Sequence, residues 1–242
     1  MRRAVAASLA AALVALARSA EARPAGGGVR GTLQIAGEQA QVRWTDGDSF
    51  RILSGRHRGR RARLVGVNAL ETFGPVHRIG ASEGGTLLAI ARRSAAVAAS
   101  AGGRCETDGN ADRYGRLLAA CPEAARALVR AGHAMVFAVD APADPGLLAL
   151  QREAQRARLG IWAGGAPPLV LTSVHSAAEQ GLDARGAYDR VADTRTGVAD
   201  AQPHARVYRV CEEVCVGSGP DRACMTYVPF ERRYRHRPGC LR

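Results

Sequence analysis

Gln41-Val-Arg-Trp44, then Asp46-Gly47-Asp48, then Ser49-Phe-Arg-Ile-Leu53 is the stretch whose reading decides the fold. Polar and apolar residues alternate on both sides of a short Asp/Gly turn, the period-two pattern of two half-buried strands joined tightly. Residues 54–59 supply a second turn, and 61–67 alternate again, with Arg61 and Arg63 against Ala62 and Leu64. Residues 31–68 therefore read as three consecutive antiparallel strands. Downstream the period changes: 82–100 places Leu87, Ala91, Ser94 and Ala98 on one helical face. Two further strands follow at 104–107 and 117–121, around a polar turn at 108–114. A helix at 123–131 stops at Gly132. The last helix, 147–159, sets Leu147, Leu150, Ala154 and Ala157 opposite its arginines. Five strands with a helix after the third is the order of an OB-fold barrel. The expected class is α+β, a five-stranded OB-fold β-barrel with three helices, to which a linker and a small disulfide-rich C-terminal module are added.

The flanks read differently. Met1-Arg2-Arg3, the apolar run 4–17 and the small residues Ala20 and Ala22 have the order of a secretory signal, so 1–22 is expected to be a cleaved signal peptide, with an uncleaved anchor as the alternative. The protein is then expected to be secreted or periplasmic, with no membrane contact after cleavage. Residues 23–30 are rich in Pro and Gly and read as a flexible linker, 164–205 lose all periodicity and read as a second linker, and 31–163 form the folded domain between them. Residues 206–242 hold four of the six cysteines, too few residues for a core without staples. In an oxidising compartment disulfides are the default for an even cysteine set. Zinc is the rival for Cys211, Cys215, Cys224 and Cys240, but their spacing matches no common finger. Cys105 and Cys121, on neighbouring strands around the 108–114 turn, are expected to pair and stiffen it; two inert buried thiols are the alternative.

Hydrophobic content of 47% and charged content of 23% exclude a disordered chain, and the net charge is +12. All 34 basic residues are arginine. Arginine's planar fork matches phosphate oxygens where lysine is a mobile point charge, so the surplus points to an anionic partner, nucleic acid first. A compositional habit of the source is the competing explanation. Residues 23–163 carry 20 arginines against 12 acids, so the surplus concentrates on the expected barrel. Five arginines between Arg56 and Arg63 read either as a solvated loop or as a track for single-stranded nucleic acid.

Three separated pieces carry chemistry: Trp44-Thr-Asp46-Gly-Asp48-Ser-Phe, Arg63-Leu-Val-Gly-Val-Asn68-Ala69-Leu-Glu71-Thr, and Asp112-Arg-Tyr114-Gly-Arg116-Leu. Hard oxygen ligands suit calcium or magnesium, and two arginine forks suit a phosphodiester whose charge grows during attack. Any one of these motifs alone is more often a turn or a strand-face charge. Together, and with Ala127-Leu-Val-Arg-Ala-Gly-His-Ala and Leu159-Gly-Ile-Trp162 following in order, the chain resembles the staphylococcal nuclease (thermonuclease) family over about 31–163.

The resemblance implies a calcium-assisted nuclease for DNA or RNA, preferably single-stranded, working as a monomer. It implies Asp48, Asn68 and the backbone carbonyl of Ala69 as calcium ligands, Asp46 behind them, and Glu71 as general base. It implies Arg63 and Arg116 on the reacting phosphate, as catalytic and phosphate-binding residues, and Tyr114 beside a terminal phosphate. Asn68 stands where the family pattern has aspartate, which removes one ligand charge and lowers the expected calcium affinity. Leu70 stands where the pattern has proline, and 133–140 lacks the family's base-stacking tyrosine. Asn68 also supports the alternative of a catalytically weakened nucleic-acid-binding module. A third reading makes 206–242 the functional part of an extracellular interaction protein.

Overall fold

The computed structural model describes residues 28–73, 76–139, 141–179 and 186–233. The expected signal peptide and Cys240 lie outside them. The chain opens with a hairpin, β1 (Val29–Ile35) and β2 (Glu38–Trp44), followed by β3 (Ser49–Ile52) and β4 (Arg61–Leu64). Each pairs antiparallel with the next, in line with the alternation that the sequence shows. The chain then turns away into β5 (Gly66–Ala69) and β6 (Val76–Ile79), and runs into the long helix α1 (Gly84–Ala101). Two short strands, β7 (Arg104–Cys105) and β8 (Leu117–Ala119), return to the first sheet, whose order is β7-β1-β2-β3-β4-β8. Glu106 and Ala120, one residue beyond those edge strands, bond reciprocally at 2.9 and 2.8 Å. That bridge nearly closes the sheet into a barrel. The disulfide Cys105–Cys121 sits beside it, so the expected staple lies on the closing seam.

The barrel is lined by Leu33, Val42, Trp44, Phe50, Ile52, Leu64 and Leu117, all at most 2% exposed. Helix α2 (Pro122–Arg130) starts on a proline, with Glu123 in its first turn and Arg130 in its last, each sign matching the helix dipole. Strand β9 (Ala134–Phe137) pairs with β5, and α3 (Pro145–Arg156) is capped by Asp144, whose carboxylate accepts from Leu147 N–H at 2.9 Å. None of the described helices is long and apolar enough to cross a membrane.

Beyond Trp162 the structure departs from the sequence reading. The supposed linker 164–205 contains an antiparallel sheet of β10 (Leu169–Ser173), β11 (Tyr188–Asp193) and β12 (Ala199–Pro203). The supposed separate module 206–242 is woven into the domain: β13 (Glu213–Val216) pairs with β14 (Ala223–Thr226), and β14 pairs with β6. A short helix, α4 (Phe230–Arg233), closes the described part. Val170, Ala192, Ala199 and Ala223 share one core with Ile79, Leu87, Met135 and Trp162. These strands escaped the periodic reading because their buried positions do not alternate and include polar side chains: Val170, Leu171 and Thr172 are buried in succession. Asp189 is buried, for example, and satisfied by the Tyr208 hydroxyl at 2.6 Å and His204 Nε2 at 3.1 Å. At the other end, of the expected linker 23–30 only 28–30 are described, and Val29 already belongs to β1.

Cys215 and Cys224 face each other across β13 and β14 and are joined, and Cys211 is disulfide-bonded as well. Cross-linked sulfurs are not thiolate ligands, so Cys211, Cys215 and Cys224 are not zinc ligands. The disulfides are compatible with an oxidising compartment.

Candidate active-site cleft

The turn between β2 and β3 carries Asp46, Gly47 and Asp48. A side chain at position 47 has no room: a Cβ there would lie 2.7 Å from the Ser94 Cβ on α1 and 2.8 Å from the Ala69 Cβ on β5. Seated this closely, the turn directs both aspartates inward, where they are 6% and 2% exposed. Asp48 is held from three sides. Its Oδ2 accepts the Ala69 N–H at 2.6 Å, and its Oδ1 accepts from Arg63 Nη1 at 2.6 Å and Ser49 Oγ at 3.0 Å. Arg63 reaches into the cleft from β4 and donates through Nη2 to Asn68 Oδ1 at 2.7 Å. Asn68 Nδ2 in turn donates to the Ala69 carbonyl at 3.2 Å.

The three residues expected to hold calcium are therefore neighbours, with a guanidinium between the Asp48 and Asn68 oxygens. Arg63 shows that the position between Asp48 and Asn68 accepts positive charge. One carboxylate, one amide oxygen and one carbonyl are all hard oxygens and fit calcium chemically, with a single formal charge among them. Among the described residues, Asp46, Asp48 and Glu71 do not bring their oxygens within 4.8 Å of one another, so no all-carboxylate cage is present.

Glu71 leaves β5 at the floor of the same cleft. Burial, reinforced by the Asp48 charge, raises its pKa to about 7, against the pull of Arg63, Arg116 and Arg233. A carboxyl poised there is near the working pH of a general base. Asp46 is raised well above the ordinary value by burial and by the Asp48 and Glu71 charges. Arg116 comes from the opposite side, just before β8. Asp112 fastens it: Oδ1 accepts the Tyr114 and Arg116 N–H groups at 2.9 Å, and Oδ2 accepts Arg116 Nε at 2.7 Å. Burial alone would raise the Asp112 pKa, but these bonds from Arg116 and Tyr114 outweigh it and hold it low. Of the Arg116 guanidinium only Nε is hydrogen-bonded among the described residues, and the residue lines the cleft, whose volume is about 1320 Å³. Tyr114 stands at the mouth, 45% exposed.

The far wall of the cleft was not foreseen. Tyr188 and Arg190 on β11 and His175 after β10 line it. They meet the first half of the chain through Arg113. Its guanidinium lies 4.8 Å from the Tyr114 ring centre and 5.2 Å from that of Tyr188, and Arg190 lies 5.4 Å from the same Tyr188 ring. His175 Nδ1 donates to the Tyr188 carbonyl at 2.9 Å, which leaves Nε2 to accept from Arg113 at 3.2 Å. Burial holds His175 neutral, with its pKa lowered to about 4. Arg113 lies inside the Asp112–Arg116 motif and could have been weighed from the sequence. Tyr188, His175 and Arg190 belong to no motif and had no signal.

Residues 61–164 match the family model described as staphylococcal nuclease homologue. No curated protein matches the chain.

Proposed function

From the premise that residues 61–164 form a staphylococcal nuclease homologue domain, whose family is usually a phosphodiesterase, we propose that this protein hydrolyses phosphodiester bonds of DNA or RNA in the cleft described above. The observation that carries the proposal is the convergence of Glu71, Arg63 and Arg116 on one cleft, with their charges acting on one another. In this reading Glu71 orients the attacking water and takes its proton. Arg116 gives the phosphate its two terminal nitrogens, and Arg63, whose own terminal nitrogens rest on Asp48 and Asn68, would turn them to the oxygens as negative charge builds. Tyr114 and Arg113 stand where the substrate enters. Calcium would be held by Asp48, Asn68 Oδ1 and the Ala69 carbonyl, with Asp46 behind, and would supply positive charge to the phosphate. The protein is read as exported, with the disulfides formed after export, and as a monomer.

A second reading has a specific observation behind it. The Asn68 side chain is satisfied on both ends, by Arg63 and by the Ala69 carbonyl. A site that closes on itself in this way suits binding of nucleic acid with weakened cleavage.

Digestion of single-stranded DNA with calcium or with chelator, beside the Glu71→Gln and Asn68→Asp variants, separates the two. Cleavage by the protein that Glu71→Gln lowers by about 10²-fold or more supports the nuclease. No cleavage above the Glu71→Gln background, with cutting restored by Asn68→Asp, supports the binding module instead.

A further inference from the structure

Four arginines stand directly opposite one another on four adjacent strands. Arg30 on β1 faces Arg43 on β2, Arg43 faces Arg51 on β3, and Arg51 faces Arg61 on β4. Neighbouring strands are about 4.8 Å apart, so the row is an almost straight line of positive charge across the barrel. Its residues alternate with the buried Val42, Trp44, Phe50, Ile52 and Ala62, which places the row on the outer face. Arg30, Arg51 and Arg61 are exposed and Arg43 is half-buried.

Like charges placed opposite each other in a sheet destabilise it, and a fold normally interleaves acids. Here it does not. None of the four makes an ion pair among the described residues, and Arg43 Nε is buried without a partner. Their neighbours on the same face of β1 and β2 are Thr32, Gln34, Gln39 and Gln41, all uncharged. The row does not stop at the barrel. Arg61 and Arg63 are two apart on β4 and share a face, and Arg51 and Arg61 both line the cleft. A line of unneutralised charge thus runs from Arg30 to Arg61, and Arg63, paired with Asp48, stands two residues along β4 from its end. Three of its members precede the segment that matches the family model.

We propose that this row is the track for the sugar–phosphate backbone of a single nucleic-acid strand leaving the cleft, with Arg30 and Arg43 holding phosphates remote from the reacting one. The proposal rests on the reading of the cleft as a nucleic-acid site. The repulsion left within the row is relieved when phosphates lie along it, which ties binding to counterion release.

The test compares the full protein with an Arg30→Gln/Arg43→Gln variant and, separately, with Arg116→Gln. Each is titrated in chelator with a short oligothymidylate that fills only the cleft and with a long one, over a range of salt. The double variant is expected to bind the short oligomer like the parent and the long one several-fold more weakly. The slope of its log Kd against log salt should shrink by about 1.4, two contacts at roughly 0.7 each. Its melting temperature at low salt is expected to stay level or rise, since repulsion is removed. Unchanged slope and affinity for the long oligomer, alongside weakened binding by Arg116→Gln, overturn the track and leave the cleft reading standing. Equal weakening for both lengths together with a lower melting temperature also overturns it, since the arginines then act only on the fold. If the parent binds neither oligomer but binds heparin fragments, the cleft reading fails first and the row is a polysaccharide surface.

Discussion

The balance of charge around Asp48 is set atom by atom. Three carboxyl groups, Asp46, Asp48 and Glu71, share a region that Arg63 and Arg116 only partly neutralise, which is why burial lifts both Asp46 and Glu71. An added cation would lower both. The geometry of this cluster depends on a residue with no functional group, Gly47. A methyl at that position meets Ser94 and Ala69 carbons that are themselves fixed by a helix and a strand. Gly47→Ala is therefore expected to destabilise the protein by about 1–3 kcal/mol through overpacking, and to displace the Asp46–Asp48 turn. Denaturant unfolding beside a cleavage assay checks both parts. A variant as stable and as active as the parent would show that the turn has slack that the contacts deny.

At the scale of elements, the arm between β7 and β8 does two jobs. Its ends close the barrel through the Glu106–Ala120 bridge, and its middle presents Asp112, Arg113, Tyr114 and Arg116. The Cys105–Cys121 disulfide ties the two jobs together, since the ends are held across a separation of 16 residues. Replacing both cysteines with alanine removes the constraint on the unfolded chain and is expected to cost about 3 kcal/mol. The arm also loosens, so the loss in Arg116-dependent cleavage should exceed what the stability change alone produces. Thermal melts and rates measured well below the melting temperature distinguish the two effects. Equal stability in the parent and the double variant would sink the seam's role.

At the scale of the whole molecule, the segment after Trp162 completes the fold rather than following it. Strand β14 pairs with β6, Gln151 on α3 accepts from Val136 and donates to the Thr194 carbonyl at 2.5 Å, and the second core draws on both halves. The junction also contains buried histidines. His77 on β6 is 3% exposed, pairs in register with Met225, and leaves Nδ1 without a partner. Burial lowers its pKa from 6.5 to about 4. Between those values the unfolded chain binds the proton and the folded chain does not, so stability rises with pH there. The His77 contribution is full above pH 6.5 and is lost as pH falls through about 4, a change of about 3 kcal/mol. Midpoints of denaturant unfolding at neutral pH and near pH 4.5 test this. His77→Leu is expected to flatten the difference, with His175 retaining a share of it.

The sequence by itself determined the barrel and marked most of the residues proposed to react. Alternation in 41–53 and 61–67 follows from one face of each strand being buried, and it survives in any fold that buries that face. Asp48, Asn68, Glu71 and Arg116 were legible because they sit in turns and strand ends with fixed local spacing. What surrounds them was decided only in three dimensions. Strands β10 and β11 bury consecutive positions rather than alternate ones, and bury polar residues such as Asp189, which Tyr208 and His204 satisfy, so no hydrophobic period is left to read. The arginine row exists because four strands pair in one register, and register is a relation between distant residues that no single segment carries. The same holds for Arg113 between Tyr114 and Tyr188, 74 residues apart in the chain, whose rings meet a common cation only after the last sheet has folded back onto the barrel.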